Sequence, residues 1–216
     1  MNRPMNKTKL VSILCWAGGF VGAAALMTGC DGTCPSTPPA SSTPAAQVSW
    51  TPVGEDPLDE QTNAQRARAF DARTAMESAL KAKLMGSIQA DGPQGAIEVC
   101  STSAPEIASQ ISAEYGVSIG RTSFKLRNET NTPPIWIESV VETRQDEPST
   151  FIGSDGTLAA AYPIKIAAAC LICHGQPEAI ADEVRASIEA IYPNDQATGF
   201  ALGDLRGWFW VEVPPQ

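Results

Sequence analysis

The chain has 216 residues, 43% of them hydrophobic, 18% charged and 6% aromatic. That composition excludes a collagen-like, coiled-coil or polytopic membrane protein and is too apolar for a fully disordered one, and the length suits one or at most two domains. With 24 acids against 15 bases the formal charge is −9, so no nucleic acid is expected as a partner. Six cysteines and one histidine bound the available chemistry: a histidine-based triad or a two-histidine zinc site must use His174 or is excluded.

Residues 1–10 carry Arg3, Lys7 and Lys9 and no acid, and an apolar run follows from Leu10 to Leu26, broken by Gly18, Gly19 and Gly22. A basic start, a short apolar middle and a small-residue exit predict a secretory signal over residues 1–29. A spanning helix needs about 20 apolar residues, and this run is shorter and rich in glycine. Leu26-Met27-Thr28-Gly29-Cys30 resembles a bacterial lipobox, with Met27 where leucine is commoner. Cys30 is then lipidated and becomes the new N-terminus, and the chain sits exported and lipid-anchored on the periplasmic face of a membrane. An uncleaved anchor or ordinary signal cleavage are the alternatives. Loss of residues 1–29 removes three bases and no acid, which leaves −12. Residues 30–57 hold six prolines among Ser, Thr and Ala, a composition that buries no core and predicts an extended tether. The folded domain is expected over residues 58–216.

Phe70, Met76, Leu80, Leu84 and Ile88 share one side at helical spacing, which predicts a long helix over residues 59–90. Asp91-Gly92-Pro93 stops it and opens another, with Ile97 and Cys100 on its apolar side. Ser103 and Glu106 are spaced as a capping box for a helix from Ala104 to Tyr115, stopped by Gly116. Strands are expected at Val117–Leu126, Leu158–Ile166 and Arg206–Val213, a short helix from Thr132-Pro133-Pro134 to Glu142, and an amphipathic helix marked by Ile180, Val184, Ile188 and Ile191. Helices come first and strands are interleaved later without βαβ alternation, so the fold class is α+β with an antiparallel sheet.

The only histidine stands in Cys170-Leu171-Ile172-Cys173-His174. Two thiols three residues apart can add to the two vinyl groups of haem while the next histidine reaches the iron, the c-type attachment pattern. At this chain's composition the pattern arises by chance on the order of 10⁻³ times. Export agrees with it, because c-type haem is attached outside the cytoplasm. The competing readings are a redox cysteine pair, which lacks the expected βαβ order; a zinc site adding Cys100, whose spacing matches no common finger; and a plain disulfide, which leaves His174 idle. One covalently attached haem c is the expected cofactor.

The iron's other axial position cannot be filled by histidine. Met76 and Met85 lie on the long helix, Met76 on its apolar side where core packing is the usual role. Cys100 remains, as an iron ligand, a buried small apolar residue or a disulfide partner of Cys34.

The runs Ala96-Ile97-Glu98-Val99-Cys100, Gly120-Arg121-Thr122-Ser123-Phe124-Lys125-Leu126-Arg127-Asn128, Cys170 to Gly175, and Gly203-Asp204-Leu205-Arg206-Gly207 together resemble the PAS-like monohaem c-type family. Its members occur alone or as extracytoplasmic sensor parts of bacterial histidine kinases. The resemblance spans about residues 60–214 and implies a PAS-like antiparallel sheet with a long N-terminal helix and flanking helices. It also implies haem held by His174 on one face and Cys100 on the other. Where relatives often carry an acidic pair before the tryptophan, this chain has Pro133-Pro134-Ile135 before Trp136. Arg121 and Arg127, and more weakly Lys125, are candidate contacts for haem propionates, since guanidinium binds carboxylate bidentately.

Histidine and thiolate together fill the iron's coordination, which argues against an enzyme that binds oxygen or peroxide at the metal. Electron transfer is the expected work. The alternative is a redox or diatomic-gas sensor that exchanges its distal ligand and signals to a partner protein. In either case a redox or signalling protein is the expected partner.

Overall fold

The computed structural model describes residues 48–54 and 58–216. The expected signal, Cys30, Cys34 and most of the expected tether lie outside these. Among the described residues no helix is long and apolar enough to cross a membrane.

Strand β1 (Trp50–Pro52) precedes helix α1 (Glu60–Glu98), whose first turn is capped by Asp59 accepting the Thr62 N–H at 2.8 Å. The predicted break is present: Gly92 has φ 73°, a left-handed value open to glycine, and it kinks the helix before Pro93. The chain then stays helical. A single π turn, Val99–Ser103, joins the end of α1 to helix α2 (Ala104–Tyr115), which stops at Gly116 as expected. The capping box is therefore not formed. Ser103 has helical φ/ψ and no side-chain cap, because the preceding π turn already supplies helical backbone there.

Five antiparallel strands make one sheet in the order β1-β3-β4-β5-β2, with β2 at Ser118–Thr122, β3 at Ser149–Gly153, β4 at Leu158–Lys165 and β5 at Leu205–Val213. The α+β class, with a long N-terminal helix and an antiparallel sheet between flanking helices, is as the sequence led us to expect. Strand β2 is shorter than predicted, since the chain turns out of the sheet after Thr122. Two strands were not predicted. In β1, Trp50 pairs with Gly153 and lies in the expected tether, so the folded unit begins earlier than residue 58. Its ring packs on Trp136 at 5.9 Å, which holds a proline-containing segment at the sheet edge.

One face of the sheet carries α1 and α2. Ala69, Ala72 and Met76 bury against Leu158, Ala160, Val211 and Val213. Alanine lets the helix axis approach closely, so the buried stripe runs through Gln65, Ala69, Ala72 and Met76, and the expected Phe70 is half exposed over the edge of Tyr162. The other face carries a 3-10 turn, Ile135–Ile137, and helix α3 (Glu138–Thr143), which pack Trp136, Ile137 and Val140 on Phe151, Ala159 and Trp208. With both faces covered, β4 is a nearly continuous apolar run rather than an alternating one.

Candidate functional site

The Cys170–His174 motif follows β4. A 3-10 turn, Ala168–Cys170, runs into the single-turn helix α4 (Leu171–His174). A Cβ at Gly175 would stand 2.6 Å from the Leu171 carbonyl oxygen, so only glycine lets the turn close this tightly. The N–H groups of Gly199 and Phe200 donate to the carbonyls of Gly175 and His174 at 2.8 and 3.0 Å, fastening the motif to the 195–200 loop.

That loop sets the histidine. Nδ1 of His174 lies 2.6 Å from the Ala197 carbonyl oxygen. A carbonyl can only accept, so Nδ1 carries the proton and Nε2 keeps its lone pair. Phe200 stands edge-on to the imidazole with centroids 6.4 Å apart. Burial, reinforced by the charges of Arg127 and Arg206, pushes the His174 pKa down to about 3. The ring is neutral at pH 7, the form a metal binds.

Arg127 departs from its expected role. Its Nε and Nη2 donate to the two Asp195 oxygens at 3.1 and 3.0 Å, and Nη2 also donates to the Cys173 carbonyl at 2.7 Å. Both side chains of this pair are more than nine-tenths buried. Asp195 in turn accepts the Ala197 N–H at 2.9 Å. Arg127 therefore holds together the motif and the loop that orients His174, rather than offering its fork to a ligand. Lys125 is likewise engaged, with Nζ donating to the Thr198 carbonyl at 3.1 Å.

Arg206, which the sequence reading did not single out, lines the same cavity as Arg121. It donates through Nη1 to Ser123 Oγ at 2.8 Å and to the Lys125 carbonyl at 3.0 Å. Burial, then the neighbouring Arg127 and Arg121, brings its pKa down to about 10. Burial also lowers that of Arg121, against the nearby Cys100.

Cys100 lies in the π turn and is half-buried. It borders the same cavity of about 460 Å³ as Cys170, Cys173, His174, Arg121 and Arg206. The volume falls in the ~300–1,000 Å³ range of cofactor sites. Leu80, Leu84 and Ile88 of α1 form one apolar wall, and Ile164 and Ile166 another. Leu84 and Ile88, on the predicted apolar side of α1, thus face the cavity rather than the sheet core. Behind the cavity, helix α5 (Asp182–Ile191) and its flanks pack Ile180, Val184, Ile188 and Tyr192 on Ile97 and Cys173, and of these four only Tyr192 borders the cavity itself.

Cys100, Cys170 and Cys173 are unpaired thiols, so the plain disulfide is not formed. Burial raises the Cys173 pKa and keeps it protonated. Among the described residues no three Cys, His, Asp or Glu side chains converge tightly enough to hold a bare metal ion. That disfavours the zinc reading. Cys170, Cys173 and His174 on their turn and Cys100 on the π turn border one cavity.

The model of the Tll0287-like family matches residues 54–214. The chain belongs to the Tll0287-like family. The match covers the whole sheet except β1 and every residue named at the cavity. In this Tll0287-like chain the family resemblance read from four sequence motifs is thereby shown. The crystal structure of the cyanobacterial haem protein Tll0287 matches at 27% identity over 53% of this chain and 72% of that one, with a TM-score of 0.45. No curated protein matches the chain.

Proposed function

We propose that this protein binds one haem c, attached through Cys170 and Cys173 and ligated by His174 and Cys100, and that it transfers electrons as an exported protein anchored to the membrane through a lipid on Cys30. The observation that carries the reading is the fixed tautomer of His174: the Nδ1–H bond to Ala197 leaves Nε2 as the donor, beside a cavity that the three thiols share. Family membership supports it, and Tll0287 is itself described as a haem protein.

The chain's own residues fit such a group. The apolar walls suit a macrocycle, and they exclude water from it. Asp195 balances Arg127, which leaves Arg121 and Arg206 as two positive charges at the cavity, suited to two propionates. Bound there, haem iron supplies a one-electron couple, with thiolate favouring a low potential. If His174 and Cys100 both held the iron, no position on it would be left for a substrate, and we assign no enzymatic role.

A sensor reading has its own support. Cys100 lies on a π turn, eight residues beyond the Gly92 kink, and single π turns inside helices are frequent at functional positions. If Cys100 left the iron, this irregular segment could relay the change to a partner.

Intact-protein mass spectrometry of chain matured with c-type haem machinery tests the attachment. A mass increase of one haem that is lost in the Cys170→Ala/Cys173→Ala double variant is expected. An unmodified wild-type mass would contradict it. Lipid anchoring is tested by membrane fractionation of wild type against Cys30→Ser, which should release the protein.

A further inference from the structure

Tyr192 caps the C-terminal end of α5 and is 8% exposed, its ring held among Ile97, Val184 and Ile188 and against Cys173. Its hydroxyl is buried and makes no hydrogen bond. Such a group almost always has a partner, since burying a hydroxyl without one is costly. Tyr192 and Cys100 border the same cavity. Ser101 neighbours the phenol and donates its hydroxyl to the Glu98 carbonyl at 2.9 Å, which leaves its oxygen able to accept, so Ser101 is the competing partner. Burial, with the Cys100 charge adding to it, pushes the phenol pKa up. A phenol that stays protonated can only satisfy its proton by donating it.

We infer that Tyr192 is a positioning residue for the distal ligand: its hydroxyl donates a hydrogen bond to the Cys100 sulfur and so sets how strongly that sulfur donates to iron. This rests on the axial reading above. A hydrogen bond to a ligating thiolate draws electron density from the sulfur, which weakens its donation and raises the reduction potential. It also aims the side chain of a residue that sits on an irregular helical turn. The Cys100 sulfur would give the orphaned hydroxyl its acceptor.

The test uses the full-length haem-loaded protein with Tyr192→Phe, Cys100→Ala, the double variant and Ser101→Ala. Phenylalanine keeps the ring packing and removes only the hydroxyl. Tyr192→Phe should lower the midpoint potential and shift the ferric sulfur-to-iron charge-transfer band, with haem content unchanged. In the Cys100→Ala background the same substitution should move neither, and Ser101→Ala alone should leave both at wild-type values. Unchanged potential and band in Tyr192→Phe would overturn the inference. So would equal shifts with and without Cys100, which denote a packing role, or a Ser101→Ala shift matching that of Tyr192→Phe. If Cys100→Ala itself left the ferric spectrum unaltered, the axial reading would be the part that failed, and the inference would fall with it.

Discussion

The helix-covered face of the sheet and the cavity at its end are built on opposite principles. On the face, Ala69, Ala72 and Met76 meet Leu158, Val211 and Val213, and the one buried polar side chain on the helix, Gln65, donates to the carbonyls of Gly156 and Val213 at 3.0 and 2.9 Å. That region is largely apolar, and its exceptions, the Nε atoms of Arg68 and Arg73, belong to arginines that bond through their other nitrogens to the Pro214 carbonyl and to Glu77. At the cavity Arg206 lies near both Arg121 and the Arg127–Asp195 pair, a histidine is held neutral, and the Tyr192 hydroxyl has no partner. Such a collection is unfavourable in an unliganded protein and acceptable where a charged, ligating group completes it. The contrast separates the part that holds the fold from the part that holds the ligand.

The contrast breaks most easily at the point where the two principles meet. Arg127→Ala leaves Asp195 buried without a counter-charge, and loss of one partner of a buried pair costs about 3–5 kcal/mol. Denaturant unfolding should show that loss together with reduced haem occupancy, because the loop that orients His174 is loosened. A loss under about 1 kcal/mol would mean that water compensates the carboxylate. On the sheet face, Leu158→Ala should cost about 2–5 kcal/mol by opening a cavity in a fully buried position. Its haem spectrum should be that of wild type, since Leu158 touches nothing at the cavity.

Arg121→Leu sharpens the difference in the other direction. It removes a half-buried cation whose guanidinium makes no hydrogen bond in the structure, so the haem-free chain should be as stable as wild type or more so, while haem retention falls. A destabilised haem-free variant that retained haem normally would show that Arg121 serves the fold instead. The smallest effect is expected at Asp59→Ala, which deletes a helix cap and should cost about 1 kcal/mol in unfolding with no change at the cavity.

Much of this division was legible in the residues. The attachment motif, the Gly92 kink, the Gly116 stop and β5 all follow from local chemistry that a short window contains. Strands β1 and β3 escaped because each is short; β1 also contains Pro52 and becomes a strand only by pairing at the sheet edge across about a hundred residues, whereas β3 forms a hairpin with the neighbouring β4. The role of Arg127 escaped for a similar reason. Its partner Asp195 lies 68 positions away, and nothing local distinguishes an arginine on a solvated strand from one in a buried pair. Arg206 stood in a run already marked as a family motif, and Tyr192 directly follows the predicted amphipathic helix. Their bearing on the cavity emerges only when β5 and α5 are brought against the π turn. Phe70 shows the converse: helical spacing alone favours the large side chain, whereas the close approach of helix to sheet selects the alanines.

The central claim is that His174 and Cys100 face one another across a haem. Ferric-state EPR and absorption of the full-length haem-loaded protein beside its Cys100→Ala variant tests it most directly. Wild type should give a low-spin signal with a thiolate-to-iron charge-transfer band, and the variant should lose both. Identical low-spin spectra in the two proteins would contradict the account.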